Sequence, residues 1–362
     1  MMMMRRPTLD RYFFRLFVGS FLSTLVAIFA LVYLIDMIEI SRRGQFDDFG
    51  FGTIALVSAL RVPSFIEQAF PFIILFSSIF TLLTLNRRLE LVVARAAGVS
   101  GWQILTPFLV ASLFLGLLAT FAYNPISAHA KEMATRMTGD LRGLDAAGQS
   151  DRVPWIRQSG DGVESIIGAK SIAEGGQALT GVTAYIMRGG VPAERIDAPS
   201  ARLEENAWVI REPTVTRVGS APERLAEFRV PTSLRPEFIE QRLADPEAIP
   251  IWSLGSKIGI ARTLGYNADA FSMQYHTLLA KPALFMAMTL VAATVAMRFQ
   301  RTGSSGRSVF GGVAAGFVLY VIAFLAKALG SNAIVPPIVA AWFPVLAAGS
   351  FGVTILLHQE DG

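Results

Sequence analysis

The residues that could do chemistry in this chain are few, and their spacing argues against catalysis. The stretch GVESIIGAKS (Gly162 to Ser171) approximates a phosphate-binding loop. Ala169, however, stands between Gly168 and Lys170 and breaks the Gly-Lys-Ser/Thr ending whose backbone and lysine hold phosphates. GSSGRS (Gly303 to Ser308) lacks the lysine altogether and reads as a flexible turn. The three histidines, His129, His276 and His358, have no second ligand at metal spacing, so a structural role is expected and no metal is assigned. With zero cysteines there is no disulfide, thiolate metal site or cysteine nucleophile, and no Gly-x-Ser-x-Gly elbow supplies a serine one. Asp36, Glu39, Arg61, Glu67, Lys281 and Lys327 lie near the ends of apolar runs, where long side chains reach water at little cost, and interfacial anchoring is their plain reading. The chain is therefore expected to hydrolyse no ATP and bind no cofactor itself. Binding, conduction or assembly remains.

One polar segment stands apart. NRRLELVVARAAGVSG (Asn86 to Gly101) lies between two apolar runs and carries Arg87, Arg88, Arg95 and Glu90. Leu89, Val92, Val93 and Ala96 recur at helical spacing while Arg87, Glu90 and Arg95 point elsewhere, so a short amphipathic helix is expected near 87–98. Gly98 and Gly101 then let the chain turn. Such a helix could lie on lipid headgroups. Its central glutamate suits a protein groove better, because a carboxylate pairs with a waiting guanidinium in bidentate geometry.

The elements that must position this segment are membrane spans. Hydrophobic residues make up 52% of the 362 and charged residues only 17%, well below the quarter or so usual in soluble chains. Six runs reach the roughly 20 apolar residues that cross a bilayer: Leu16 to Ile35, Gln68 to Leu85, Trp102 to Tyr123 ending at Asn124-Pro125, Gln274 to Met297, Ser308 to Ala326, and Ile334 to Leu357. The first is too long for a cleaved signal and lacks a small-residue cleavage site before Asp36, so it is expected to stay as an anchor. Arg5, Arg6, Arg11 and Arg15 precede the first span, Arg87, Arg88 and Arg95 follow the second, and Arg298, Arg301 and Arg307 follow the fourth. The positive-inside rule makes that shared side cytoplasmic, with both termini inside, although Arg42 and Arg43 dissent. The net charge of +4 sets orientation, and no basic-aromatic run suggests nucleic acid.

Residues 131–262 are ordinary in charge and show strand-like alternation in ESIIGAKSI, LTGVTAYIMRGG, ERIDAPSARLEENAWVIREPTVTRV and AEFRVPTSL. In TAYIMR, Ala184 and Ile186 share one face and Tyr185 and Met187 the other. The expectation is an α-helical membrane protein of six spans with an inserted all-β, jellyroll-like domain outside the cytoplasm: residues 1–130 with spans one to three, 131–262 the β domain, and 263–362 with spans four to six.

LDRYFFRLF before the first span, LVYLIDMIEISRR at its end, FPFIILFSSIFTL in the second and ELVVARAAGVSGWQIL after it together resemble the LptF/LptG (YjgP/YjgQ) family, the membrane subunits of lipopolysaccharide export. RTGSSGRSVFGGVAAGFVLYVIAFLAKALGSNAIVPPIVAAWFPVL is similar to the family's fifth and sixth spans, so the resemblance covers essentially the whole chain. The acids and paired arginines closing the first span are more similar to the LptG branch than to LptF. The resemblance implies a permease subunit pairing with LptF, an LptB ATPase dimer that carries ATP and Mg, and a periplasmic jellyroll leading to LptC and LptA. It implies an ATPase-coupling helix, with the family's glutamate falling on Glu90 and Arg87, Arg95 and Gly98 beside it. It further implies a lateral gate between the first span of one subunit and the fifth of its partner, near Tyr33, Gly312 and Gly316. Arg42, Arg43, Arg61, Lys131 and Arg136 flank spans one to three on the outer side, where lipid phosphates would lie, and form a candidate phosphate-binding rim. Some LptG members place a lysine in the outer half of the first span, where this chain has Tyr33 nearby and no lysine. The rival readings are an LptF-type paralogue, a scaffold that tethers a β domain without transport, and a lipid-modifying enzyme, the last weakened by the missing catalytic groups.

Overall fold

The computed structural model describes residues 7–42, 50–145, 155–160, 163–173, 178–188, 191–204, 207–217, 220–232, 245–263, 268–302 and 305–361. Arg43 lies outside them. Among the described residues six helical segments are long and apolar enough to cross a bilayer, and most outrun the apolar stretch that marks them. α1 (Pro7–Arg42) and α2 (Phe51–Arg87) have 36 and 37 residues. Hydropathy detects only the stretch that needs lipid, whereas backbone hydrogen bonding continues through polar flanks rich in helix formers.

After α2 come a two-turn helix, α3 (Glu90–Ala96), then α4 (Gly101–Leu118) and α5 (Asn124–Asp145). Asn124-Pro125 is expected to end the third span, but the helix runs through it. A π turn at Ala119–Tyr123 joins α4 to α5, and the Asn124 N–H donates to the Ala119 carbonyl. This wider turn provides for a proline ring that would otherwise clash with the preceding turn. Past the β insert, a 3-10 turn at Pro246–Ala248 leads into α6 (Ile251–Thr263), α7 (Asp269–Thr302), α8 (Ser305–Ser331) and α9 (Pro337–Asp361).

The helical core is built from α1, α2, α4 and α7. Phe17 meets Phe108 edge-on at 5.5 Å between ring centres, and Phe70 meets Phe285 at 5.9 Å. In the same core the Thr289 hydroxyl lies 2.6 Å from that of Ser112 and accepts from Ser78 at 3.3 Å, a buried polar contact that joins three helices. Gly116 packs directly on the Pro282 backbone, where any Cβ would collide. Coverage is uneven. Only 6% of the apolar stretch of α1 and 17% of that of α8 is buried within the chain, against 61% for α2 and 67% for α7.

The chain divides into two compact units, residues 1–137 with 246–362, and residues 138–245. The β unit is thus narrower than 131–262. Its expected first residues continue α5, and its expected last ones form the 3-10 turn and α6. Among the described residues eight strands, β1 (Trp155–Gly160), β2 (Val163–Ala173), β3 (Ala178–Arg188), β4 (Val191–Glu204), β5 (Ala207–Arg211), β6 (Thr214–Arg217), β7 (Glu223–Arg224) and β8 (Glu227–Pro231), form one antiparallel sheet. Its main path is β1-β2-β3-β4-β5-β8, with β6 also pairing to β4 and β7 to β6. Gln158 on β1 accepts from Trp208 Nε1 on β5 at 3.1 Å and from Thr232 Oγ1 just past β8 at 2.7 Å, so the sheet rolls until its two ends meet. Val182, Ala184 and Ile186 point into the roll, on the face their alternation predicts.

Candidate functional site

Two neighbourhoods of the helical unit collect the residues singled out by sequence. The first is the corner between α2 and α4. Leu89 enters α3 at φ 59°, a left-handed conformation that costs a side-chain-bearing residue roughly 1–2 kcal/mol, and Gly98 leaves it at φ 79° where the missing Cβ removes that penalty. Ser100 then starts α4 with a reciprocal cap, its hydroxyl accepting from the Gln103 N–H while the Gln103 side chain accepts from the Ser100 N–H. The corner is thus held at a fixed angle from both sides.

Leu91 and Ala94 anchor α3 inward. The amphipathic set selected by periodicity faces outward instead: Leu89 is 61% exposed and Val93 66%, with Val92 beside them and Arg87 and Arg95 also exposed. Glu90 does not stand alone. Its carboxylate accepts from the Tyr12 hydroxyl at 3.3 Å and lies 4.0 Å from Arg88 Nη1. Arg88 and Glu90 edge a recess of about 560 Å³ between α1 and α3, floored by Phe13, Ala94 and Val99. Tyr12 was missed because nothing in sequence pairs residues 78 positions apart.

The second neighbourhood is a belt of acids and bases near the end of the bundle where the β unit inserts. Glu67 and Lys281 pair at 2.6 Å, both about nine-tenths buried, and Asn124 links them to the chain's return by donating to Glu67 at 3.0 Å and accepting from the Ile251 N–H at 3.0 Å. Glu247, in the 3-10 turn, holds Lys131 at 2.7 Å and Lys327 at 2.8 Å, and accepts from Gln68 at 3.2 Å. Burial pushes the Glu247 carboxyl up, but the two ammonium groups pull harder and hold it at about 2. Arg61 pairs with the buried Asp36 at 3.3 Å and lies over the Phe65 ring.

The expected phosphate rim is therefore largely occupied by the chain's own carboxylates. Arg61 is held by Asp36, Lys131 by Glu247 and Arg136 by Glu132 at 2.7 Å. Arg42, at the end of α1, is exposed. The gate residues also have internal contacts. Tyr33 donates to the Ala55 carbonyl on α2 at 3.3 Å, while Gly312 packs on Val295 of α7 and Gly316 on Leu75 of α2. The faces of α1 and α8 left uncovered are instead apolar, with Leu22, Val26 and Leu34 on one and Phe310, Phe317 and Phe324 on the other.

Six apolar helices, an inserted antiparallel roll and a rigid two-turn corner define a polytopic membrane subunit, and no group of three or more His, Cys, Asp or Glu that could hold a metal occurs among the described residues. The family model for the lipopolysaccharide export system permease LptF/LptG matches residues 11–358, and the chain belongs to that family. It is similar to the lipopolysaccharide export system permease protein LptG of Escherichia coli K12, at 22% identity over 97% of this chain and 98% of the relative. It is also similar to LptG of Haemophilus influenzae, at 23% identity over 94% of this chain and 95% of the relative.

Proposed function

We propose that the chain is the LptG-type subunit of an ATP-driven complex that extracts lipopolysaccharide from the inner membrane and passes it to a periplasmic bridge. An LptF-type subunit completes the membrane part, an LptB-type dimer supplies hydrolysis with ATP and Mg²⁺ bound there, and LptC- and LptA-type proteins receive the substrate. Both termini and α3 then face the cytoplasm and the β unit the periplasm, as the arginine distribution indicates.

The observation that carries this reading is the α3 corner. A helix that leaves Leu89, Val92 and Val93 exposed while a capped turn and a left-handed residue fix its direction presents a rigid apolar face to another protein. Closure of the ATPase against that face would tilt α2 and α4 together, since both grow directly from it. Substrate would enter between α1 of this subunit and the fifth span of its partner, and between α8 and the partner's first span. Sparse coverage of α1 and α8 within the chain supports that choice of faces. The roll, with an apolar interior, would shield acyl chains on their way out.

Glu90→Ala in the reconstituted complex tests the coupling role. Loss of a charge-assisted contact worth roughly 1.5–3 kcal/mol should weaken ATPase retention or separate hydrolysis from extraction. Normal complex yield together with normal extraction would overturn it. Removal of residues 155–232 should leave an assembled, ATP-binding complex that fails to deliver lipopolysaccharide to a periplasmic acceptor.

A further inference from the structure

The recess between α1 and α3 opens to the side of the face assigned to the ATPase. Glu90, Val93, Ala94 and Ala97 follow the i, i+3, i+4, i+7 spacing of one helix face and line it, whereas Leu89 and Val92 do not. Its volume of about 560 Å³ falls within the range of small-molecule sites. Its depth is that of lipid headgroups. Phe13 and Thr8 precede Leu16, where the first apolar run starts, by about 4.5 and 12 Å along α1, and a headgroup layer roughly 5–8 Å thick begins where hydrocarbon ends. Arg88 stands about 4.5 Å past Leu85, the end of the second run. Arg88 and Glu90 are the charged members of the lining, and neither is spent. Arg88 Nη1 lies 4.0 Å from Glu90 Oε1, beyond hydrogen-bonding distance, and its side chain is 61% exposed. The Tyr12 hydroxyl donates to the same Oε1, so among the described residues Oε2 of Glu90 is left for a further donor.

We propose that this recess binds the headgroup of a phosphatidylethanolamine-type lipid, with its phosphate on Arg88, its ammonium on Glu90 Oε2 and its glycerol end against Leu9 and Phe13. Each feature narrows the ligand. One cation beside one anion matches a zwitterion of no net charge, and an anionic headgroup would be repelled by Glu90. A choline nitrogen has no N–H to donate, whereas an ethanolamine ammonium has three. The apolar floor of Phe13, Ala94 and Val99 favours a headgroup that carries a glycerol and acyl chains over a free zwitterion in water. A carboxylate accepts from several donors, so the headgroup does not displace the ATPase contact assigned to Glu90. Lipid binding here needs only that α1 and α2 cross a bilayer, so its failure would leave the transport reading untouched.

The test uses the full chain in phosphatidylcholine nanodiscs doped with phospholipids that carry a photoreactive group near the glycerol and an ethanolamine, choline or glycerol headgroup. The ethanolamine probe should label residues 8–13 and 88–99 about threefold to fivefold more strongly than either of the others, the range of a partly exposed charge pair. Glu90→Gln should bring it down to the choline level. Arg88→Gln should lower labelling by all three probes. Ala97→Trp, at an exposed position at the end of α3 where the fold has room for it, should fill the recess and do the same. Soluble glycerophosphoethanolamine should not compete. Equal labelling by the ethanolamine and choline probes, strongest labelling by the glycerol probe, or labelling mapped elsewhere would overturn the assignment. Full displacement by the soluble competitor would make the ligand a free zwitterion, and loss of labelling on adding the ATPase dimer would give the recess to that protein. Either result overturns the lipid site.

Discussion

The α3 corner and the lysine–glutamate belt sit about 30 Å apart along α2, from Arg87 to Glu67, and treat their side chains in opposite ways. At the belt, Glu67 meets Lys281 and Asn124, while Glu247 meets Lys131, Lys327 and Gln68. These charges are spent within the chain. At the corner, three large apolar side chains are left in the open and the one acid has only a hydroxyl at 3.3 Å and a guanidinium at 4.0 Å. Groups already satisfied contribute to folding, and groups left over are available to a second protein. Substitutions in the belt should therefore act on stability, and substitutions at the corner on assembly.

The sharpest break of that contrast is at Lys281. Lys281→Met leaves Glu67 buried beside Asn124 without its counter-charge, and removing one member of a buried pair costs about 3–5 kcal/mol. Denaturation of the purified protein in detergent should show that loss. Glu67→Leu added to Lys281→Met should recover most of it, because two apolar groups need no counter-charge. A single variant as stable as the parent would place the pair outside the folding balance.

Glu247 gives the next largest effect, and its sign follows from the depressed carboxyl. Its folded-state value of about 2 lies below the ordinary 4.5, so the stability it contributes is fully present above about pH 4.5 and is lost as pH falls toward 2. The magnitude is about 3 kcal/mol. The stability difference between the parent and Glu247→Gln should be full at pH 6 and shrink steadily below pH 4.5. A difference that does not change across that window would show that Lys131 and Lys327 do not hold the carboxylate in its charged form.

What the sequence discloses of these two regions differs for a physical reason. Spans and strands are written in local periodicity, so the apolar runs marked all six helices and the alternation in TAYIMR put Ala184 and Ile186 on the buried face. The belt is written in no local pattern. Glu247 finds Lys131 and Lys327 at separations of 116 and 80 residues, and Glu67 finds Lys281 across 214. Asn124-Pro125 misled because the π turn before it is a backbone adjustment without a sequence signature. At the corner, composition disclosed an amphipathic helix but not its direction. Leu91 and Ala94, which face the core, are no more apolar than Val92 and Val93, which do not. The division at 138 and 245 was hidden for a related reason, since α5 is too polar and α6, at 13 residues, too short to be marked as a span.

The smallest expected effect on folding sharpens the comparison most, because it separates stability from docking at one residue. Leu89 adopts φ 59° and exposes 61% of its surface, so its side chain does little for the fold while its backbone is strained. Asparagine tolerates the left-handed region better than leucine, since its short polar side chain can hydrogen-bond locally. Leu89→Asn should therefore leave the stability of the isolated chain unchanged or raise it by up to about 1 kcal/mol. The same substitution removes an apolar side chain from the face assigned to the ATPase, where burial of a leucine is worth about 1.5–3 kcal/mol. Retention of the ATPase in pull-down should fall about tenfold or more, the equivalent of 1.4 kcal/mol. Leu89→Met keeps the apolar contact and should retain the ATPase as the parent does. Should Leu89→Asn unfold the chain, or bind the ATPase undiminished, the exposed face of α3 would belong to the fold or to the lipid and not to a second protein.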